Sequence, residues 1–377
     1  MKSLWKDKPL GAVFKLEYGK PLHDTDRKPN GLYPVYGANG EKGRSDKFYV
    51  DKPSIIVGRK GSAGEVNLTE ERFWPLDVTY FVTFDERQYE LRFLYYLLTR
   101  LDLPSLAKGV KPGINRNEVY SQVANIPPLP EQQRIVGILD KAFEGIATAK
   151  ANAEKNLQNA RAIFESHLQS VFTQRGPGWV ETTLGDIAQI KGGKRVPKGY
   201  KLLNEPTDFP YLRVTEFTDS GTIDMSDLRY VSAEVHREIK NYVISSKDLY
   251  ISIAGTIGKT GIIPEELDGA NLTENACRLV FNPGISNRFV YFFTVTPDFV
   301  EQAGFNTRTA AQPKLALSRL ATIRLSVPHL AEQKRLADKF DTLREETQRL
   351  ASRYERKLAA LEALKKSLLH QAFSGAL

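Results

Sequence analysis

The sequence predicts an α+β protein in which two mixed α/β domains follow each other in tandem, each continued by a long helix. Three observations lead to this fold class. The chain has 377 residues, which is enough for two domains with connecting elements. Short sequence motifs recur in the same order in both halves, and each half closes with about forty residues that lack proline and show helical spacing of apolar residues.

Three matches between the halves establish the internal repeat. Their separations are 174, 194 and 201 residues, so the second copy is the first with insertions, 20 residues of which precede its Gly-rich turn. Because the order is kept and the offset only grows, duplication explains the pattern better than chance does. The matched pairs are Leu10-Gly11 with Leu184-Gly185, Gly61–Gly64 with Gly255–Gly258, and Pro128–Ile135 with His329–Leu336.

The repeat also sets the predicted boundaries. Short β-branched or aromatic runs, Gly-rich turns and helical stretches such as Leu91–Leu101 give each domain a mixed α/β character. We predict a first domain over residues 1–127, a first helix over 128–175, a second domain over 176–327 and a second helix over 328–377.

Both long helices begin after a proline, at Pro130 and at Pro328, with a Glu-Gln pair shortly after it. We expect this pair to supply acceptors to the free N–H groups of the first turn. The first helix is predicted from about residue 131 to about residue 172, a length of roughly 60 Å at about 1.5 Å per residue.

Apolar residues at three- and four-residue spacing form a seam along each helix, and this seam predicts that the two helices pair. Small residues such as Ala142 and Ala149 stand in the first helix where the second has Leu343 and Leu350, which suits close packing. The alternative is a pair of amphipathic helices buried in one large core. The predicted pairing residues are Ile135, Leu139, Ile146, Leu157, Leu336, Phe340, Leu343, Leu350, Tyr354 and Leu361.

Composition narrows the class of protein. The chain holds 53 Lys and Arg against 45 Asp and Glu, a net charge of +8, which favours a polyanionic partner without proving one. The single cysteine, Cys277, and five scattered histidines predict neither a disulfide nor a metal site. No apolar run approaches the roughly 20 residues that a membrane span requires, so we expect a cytoplasmic protein without a membrane partner.

Loops that combine glycine with cationic, amide or hydroxyl side chains are the candidate DNA contacts, because phosphates need cations and N–H groups and base edges need bidentate side chains. A Gly-Lys loop is more often a solvated turn, but the last such loop of each domain corresponds at an offset of 201. The candidates in the first domain are Tyr36, Asn39, Arg59, Lys60, Ser62, Lys108, Lys111, Asn115 and Arg116. Those in the second domain are Lys191, Lys194, Arg195, Thr256, Lys259, Arg308, Thr309, Gln312 and Lys314.

Motifs for catalysis are incomplete. Residues 253–260 approach a phosphate-binding loop, but Ile253 replaces the first glycine and Pro264 prevents the helix that should follow. Asn125 and Asn282 lack the proline-proline-aromatic sequence of a methyltransferase, and Asp227 with Glu238 is a weak match to nuclease carboxylates. We predict no catalytic residues in this chain.

The arrangement resembles the specificity subunit of type I restriction-modification systems, and the likeness covers the whole chain. It is carried by the helix-opening motif Pro128–Ile135, by Tyr33–Gly40, and by the endings Leu168–Phe172 and Leu369–Phe373. The second opening departs from the pattern at Ala331 and Lys334.

The resemblance implies two target-recognition domains, each reading one half of an interrupted sequence in double-stranded DNA. It also implies that the helices pair as an antiparallel coiled coil, set the gap, and dock two modification (methyltransferase) subunits and, through them, restriction (endonuclease) subunits. On this basis the chain is a non-catalytic subunit without a cofactor, and S-adenosylmethionine belongs to the modification subunit.

Two other functions remain open at this point. A coiled-coil scaffold for protein partners, without a DNA role, would keep its binding at high salt. An autonomous nuclease or methyltransferase would be active as the purified chain alone with a metal ion or a methyl donor.

Overall fold

The first repeat builds two four-stranded sheets and a two-stranded ribbon ahead of its long helix. The computed structural model describes residues 5–304 and 315–377. The strands are β1 (Lys6–Pro9), β2 (Phe14–Tyr18), β3 (Arg27–Lys28), β4 (Tyr33–Gly37), β5 (Gly40–Ser45), β6 (Ser54–Gly58), β7 (Val66–Thr69), β8 (Trp74–Pro75), β9 (Thr79–Phe84) and β10 (Val123–Ile126). The helices are α1 (Leu91–Arg100), α2 (Arg116–Tyr120) and the long α3 (Leu129–Gln174).

The second repeat has the same plan with added elements. Its strands are β11 (Val180–Thr183), β12 (Ala188–Gly192), β13 (Pro210–Leu212), β14 (Arg229–Tyr230), β15 (Val243–Ile244), β16 (Leu249–Ser252), β17 (Thr260–Gly261), β18 (Ala270–Leu272), β19 (Ala276–Phe281) and β20 (Arg324–Val327). Its helices are α4 (Leu184–Ile187), α5 (Ala233–Ile239), α6 (Asn287–Thr294), α7 (Pro297–Ala303), α8 (Leu317–Ala321) and the long α9 (Leu330–Ser374).

The two domains share the topology of one of their two sheets. An antiparallel sheet of order β2-β9-β6-β7 in the first corresponds to β12-β19-β16-β17 in the second. A second sheet, β3-β5-β4-β8 or β14-β13-β18-β15, contains one parallel pair in each domain, β4 with β8 and β13 with β18. The helix α5, between β14 and β15, belongs to the residues added before the second Gly-rich turn. The predicted tandem α+β repeat is thus confirmed.

A two-stranded ribbon closes each domain immediately before its long helix. In the first domain Lys6 lies opposite Ile126, and in the second Val180 lies opposite Val327. These positions differ by 174 and 201 residues, the offsets of the first and last sequence matches. Each long helix therefore begins directly at the closed end of its domain.

The long helices run antiparallel within each of two compact units. The first unit extends to Lys155 and also contains Glu355–Leu377, while the second is Asn156–Tyr354. In the first unit the start of α3 lies beside the end of α9, since Ile135 and Phe373 share one core and Lys150 pairs with Glu362 at 2.7 Å. In the second unit the end of α3 lies beside the start of α9, where the Phe172 and Phe340 rings stack with centroids 6.0 Å apart.

The compact units do not coincide with the predicted boundaries, which separate each domain from its helix. The boundary between the units instead falls within both long helices. Each unit therefore contains one domain, the first part of the helix that follows that domain and the last part of the other helix. The reason is packing: Leu369 and Phe373 at the end of α9 lie in the core of the first domain's unit, and Leu168 of α3 lies in the core of the second.

The predicted pairing residues are all withdrawn from solvent to some degree. Five of them are buried, namely Ile135, Leu139, Ile146, Leu336 and Phe340. All of these except Ile146 also belong to the domain cores, so the same residues pack the helices against each other and against the domains. The half-buried members are Leu157, Leu343, Leu350, Tyr354 and Leu361.

The Glu-Gln pair at each helix start does not act as expected. Glu131 forms a double hydrogen bond with Arg134, at 2.7 and 2.8 Å, and the backbone N–H of Gln132 is already bonded to the Pro128 carbonyl. The amide of Gln132 points instead toward the domain. The expectation of a first-turn cap was wrong because upstream carbonyls already accept these N–H groups.

Among the described residues, no helix is long and apolar enough to cross a membrane.

Candidate nucleic-acid interface

In the first domain, two of the predicted loops meet at the end of strand β6. The turn from Gly58 to Gly64 needs glycine, since Gly61 and Gly64 have φ of +80° and +86°. At Gly58 a Cβ would lie 2.1 Å from the Ser62 carbonyl oxygen and 2.6 Å from that of Ala38. The turn at Ala38 and the turn after β6 therefore pack directly against each other.

The loop around residues 108–115 is hydrogen-bonded to the same turn. The N–H of Gly61 donates to the Pro112 carbonyl at 2.9 Å, and the N–H of Ile114 donates to the Arg59 carbonyl at 3.0 Å. Lys108 and Gly113 exchange two further backbone bonds, which close the loop on itself. Predicted residues that lie far apart in sequence, among them Arg59, Lys60, Lys111 and Arg116, are thus brought into one region.

Two guanidinium groups in this region contact the same aromatic ring. Arg59 and Arg116 lie 5.3 and 5.1 Å from the ring centroid of Tyr18, and Arg59 also donates to the Asp77 carbonyl at 2.6 and 3.0 Å. The Tyr18 side chain is 48% exposed and packs on Tyr80. Burial raises the pKa of Tyr80 to about 12, so its hydroxyl stays neutral.

Several cations of this region are not neutralised by carboxylates in the described residues. Within the described part of the chain, no ion pair includes Arg59, Lys60, Lys111 or Arg116. Contacts with a ring and with a neutral carbonyl orient a guanidinium without neutralising it. Such a group can bind a phosphate or the O6 and N7 atoms of guanine. We call Tyr18, Arg59 and Arg116 the arginine–tyrosine cluster.

The other predicted residues of the first domain take different positions. Lys108 is paired with Glu118 at 2.6 Å, and the side-chain oxygen of Asn115 caps helix α2 by accepting from the Asn117 N–H at 2.9 Å. Lys60, Ser62, Lys111 and Asn39 are exposed, whereas Tyr36 is half-buried against Phe73.

Sequence reasoning missed Tyr18, and it also missed Lys20. The Lys20 ammonium lies 4.4 Å from the ring centroid of Tyr49, an exposed aromatic side chain. A signal was present, because Tyr18 directly precedes Gly19-Lys20, a pair that recurs as Gly193-Lys194. Ring contacts between distant strands could not be read from it.

The second domain repeats the backbone of the turn with different side chains. The Leu315 N–H donates to the Ile253 carbonyl at 2.8 Å, the counterpart of the bond from Ile114 to Arg59. Likewise the N–H groups of Ile253 and Ala254 both donate to the Asn275 carbonyl, as those of Arg59 and Lys60 both donate to the Val78 carbonyl. The cations of the first domain are therefore replaced by apolar residues on an equivalent scaffold.

The predicted cations of the second domain are partly engaged within it. Lys259 donates to the Phe217 carbonyl at 2.7 Å and pairs with Asp219, and Arg195 pairs with Glu274 at 2.5 Å. Lys194 lies over the ring of Tyr242. Lys191 and Thr256 are exposed. The predicted residues Arg308, Thr309, Gln312 and Lys314 lie outside the described residues.

The two partial catalytic motifs of the second domain, residues 253–260 and Asp227 with Glu238, lack the structural elements that catalysis would need. After Gly258 the chain continues as the short strand β17, where a phosphate-binding loop requires a helix. Asp227 pairs with Arg213 and Arg229. Among the described residues, no three His, Cys, Asp or Glu side chains are grouped so that they could hold a metal ion.

A family model matches both repeats. The model for the type I restriction modification DNA specificity domain matches residues 2–158 and again residues 177–358. Two such domains on paired long helices define the chain as a tandem specificity protein. The chain belongs to the type I restriction-modification specificity family.

Relatives of known family agree with this assignment along the length of the chain. A putative type I restriction enzyme specificity subunit of Haemophilus influenzae is 26% identical over 357 residues, which cover 89% of this chain and 87% of the relative. The EcoBI specificity subunit of Escherichia coli is 22% identical over 369 residues, covering 88% and 75%.

Solved structures share the fold. A chain of a type I restriction-modification system, studied for its assembly and conformational transition, has a TM-score of 0.74 at 17% identity and covers 99% of this chain and 98% of its own length. The HsdS subunit of Thermoanaerobacter tengcongensis has a TM-score of 0.62 at 18% identity, covering 99% and 97%. The resemblance seen in the sequence is confirmed.

Proposed function

We propose that this chain reads a bipartite target in double-stranded DNA, one half with each domain, and delivers modification and restriction subunits to it. The observation that carries the proposal is the turn after β6 and β16. Both domains hold it with equivalent backbone bonds, while Arg59 and Lys60 in one correspond to Ile253 and Ala254 in the other. Two readers of different half-sites require a common scaffold that carries different side chains, here two cations in the first turn and a buried isoleucine with an alanine in the second.

The arginine–tyrosine cluster supplies affinity in the first domain. An oriented guanidinium binds a phosphate or a guanine edge with two parallel hydrogen bonds, and little side-chain freedom is lost because ring and carbonyl already hold it. Each phosphate contact releases condensed counterions, so binding weakens as salt rises. This salt dependence separates a DNA reader from a scaffold for apolar protein partners.

The duplicated helix starts suit two copies of one partner. Glu131 with Arg134 and Glu332 with Arg335 form the same double hydrogen bond, with lengths between 2.6 and 2.8 Å, and both arginines are exposed. In this proposal two modification subunits dock along the helices and restriction subunits join through them. S-adenosylmethionine is bound by the modification subunit, this chain contributes no catalysis, and the complex meets its DNA in the cytoplasm.

Co-purification with the neighbouring modification subunit, followed by mapping of methylated sites, tests the proposal. We expect methylation confined to a split motif when the chain is present and lost when it is omitted. Equal methylation without the chain would contradict the proposal and favour the protein scaffold. Activity of the purified chain alone with a methyl donor or a metal ion would show a catalytic subunit instead.

A further inference from the structure

A glutamine at the start of each long helix is buried, although glutamine is mostly an exposed residue. Gln132 in α3 has 0% and Gln333 in α9 has 1% of its surface exposed. The two occupy equivalent positions, 201 residues apart. A buried amide needs partners for both its oxygen and its N–H groups, so its bonds indicate what it holds together.

Gln132 connects the helix start to the segment that leads into α1. Its amide nitrogen donates to the carbonyls of Pro127 at 2.9 Å and Gln88 at 3.0 Å, and its amide oxygen accepts from the Glu90 N–H at 2.9 Å. Glu90 is itself the N-cap of α1 and accepts from the Phe93 N–H. One side chain thus joins the long helix to the cap of the main helix in the domain core.

Gln333 makes the same three bonds in the second domain. Its amide nitrogen donates to the carbonyls of Pro328 at 2.7 Å and Gly284 at 3.1 Å, and its oxygen accepts from the Ser286 N–H at 2.8 Å. Ser286 is the N-cap of α6, the counterpart of α1. The two domains therefore differ in their loops but share this set of three hydrogen bonds between the buried glutamine and the domain, which we call the glutamine junction.

A second attachment lies eight residues along each helix. Arg92 of α1 pairs with Asp140 of α3 at 2.9 Å, and Arg288 of α6 pairs with Asp341 of α9. Eight helical residues span about 12 Å and turn by about 80° beyond two full turns, so both positions lie within the broad face that packs on the domain. Together with the apolar contacts of the helix seam, these two polar attachments determine the direction of a domain on its helix.

We infer that Gln132 and Gln333 are positioning residues that fix the orientation of each recognition domain on its long helix and thereby the gap between the half-sites. The inference rests on the proposed function. It separates two properties of the target: loop residues determine the bases in each half, and the glutamine junctions determine the allowed spacing. Neither glutamine lies in the turns at Gly58–Gly64 or Gly255–Gly258, so replacing one leaves base preference intact.

The test compares Gln132→Leu and Gln132→Glu with the exposed neighbour Gln133→Leu, each in the complete complex with its modification subunits. Leucine removes all three bonds at similar volume, and glutamate keeps an acceptor for Glu90 but cannot donate to the two carbonyls. The substrates are duplexes with the mapped half-sites and a gap one base pair shorter, equal or longer. The measurement is the rate of methylation of each duplex.

We expect both Gln132 variants to raise methylation at the neighbouring gaps, relative to the natural gap, by about tenfold, the change in an equilibrium constant expected from loss of a buried hydrogen bond. The glutamate variant should change the gap preference at least as much, because it places a buried carboxylate oxygen against the two carbonyl oxygens, and Gln133→Leu should behave as wild type. Base preference within each half should stay the same.

Three outcomes would overturn the inference. One is an unchanged gap preference in a folded, active Gln132→Leu complex, even with a lowered melting temperature, since that would show a stabilising role only. Another is altered base preference with an unchanged gap. The third applies if Gln132→Leu fails to fold. In that case Asp140→Asn, at the partly exposed second attachment, takes its place and should weaken the preference for the natural gap length. An unchanged preference in this variant would refute the inference. Failure of the proposed function would look different, because methylation would then not depend on this chain at all.

Discussion

At the scale of single residues, the charge available to DNA in the first domain is concentrated in a few oriented side chains. Arg59 and Arg116 both contact the ring of Tyr18, and Arg59 is further held by the Asp77 carbonyl. Asn115 and Lys108 have the chemistry of DNA contacts as well, but one caps α2 and the other pairs with Glu118. Residue type alone does not separate these roles, because partners decide which groups remain available.

Replacing Arg59 or Arg116 by alanine should weaken DNA binding and make it less sensitive to salt. Each lost phosphate contact makes the slope of log K against log salt shallower by about 0.9. Fluorescence anisotropy of the complex on a labelled duplex across a salt series measures this slope. Lys52→Ala is the matched control, since Lys52 pairs with Glu86 near the opposite end of β6. An unchanged slope in both arginine variants would remove them from the interface.

His167 should make the stability of the second unit depend on pH. Its buried Nε2 has no hydrogen-bond partner among the described residues, and burial, together with the charge of Lys339, holds the pKa of His167 below its ordinary value of 6.5. The unfolded chain therefore takes up a proton that the folded unit does not, and stability falls as pH drops below about 6.5.

His167→Leu should remove this contribution, and leucine already stands at the equivalent position of α9, Leu368. The melting temperature of the variant complex minus that of the wild-type complex should be more positive at about pH 5.5 than at about pH 8. An equal difference between wild type and variant at both pH values would show that His167 does not titrate in this range.

At the scale of elements, the antiparallel packing of the long helices depends on aromatic anchors. Phe340 of α9 is fully buried against Phe172 of α3 and Phe292 of α6, with ring centroids 6.0 and 5.1 Å away. Phe340→Ala should lower the free energy of unfolding by about 3–5 kcal/mol, since it leaves a cavity where three elements meet. Ile163→Ala, on the half-exposed side of α3, should change it by about 0.5 kcal/mol or less. Thermal or urea unfolding of the two variants compares them directly, and equal losses would contradict this packing.

The positions of the helices and strands could largely be predicted from the sequence, but which of them contact each other could not. Proline boundaries and apolar spacing placed the first helix at about 131–172, against an observed Leu129–Gln174, because both signals are local. The arginine–tyrosine cluster requires the ends of β2 and β6 to meet the start of α2, and the burial of Gln132 requires the segment before α1. One sequence carries no record of such distant contacts.

At the scale of the whole molecule, duplication explains both what is constant and what varies. The closing ribbons, the glutamine junctions and the backbone of the Gly-rich turns are repeated, as the offsets of 174, 194 and 201 residues indicated. The side chains of the turns, Arg59 and Lys60 against Ile253 and Ala254, and the residues added around α5 differ. Parts that hold the domains on the helices are therefore kept, while the side chains of the candidate DNA-contact turns differ.

The proposal that each domain reads its own half of the target can be tested by giving the first turn the residues of the second. The variant combines Arg59→Ile and Lys60→Ala, and the measurement maps the sites methylated by the assembled complex. We expect a changed or relaxed preference in one half of the motif, with the other half and the gap unchanged. A change in both halves, or none in either, would contradict it.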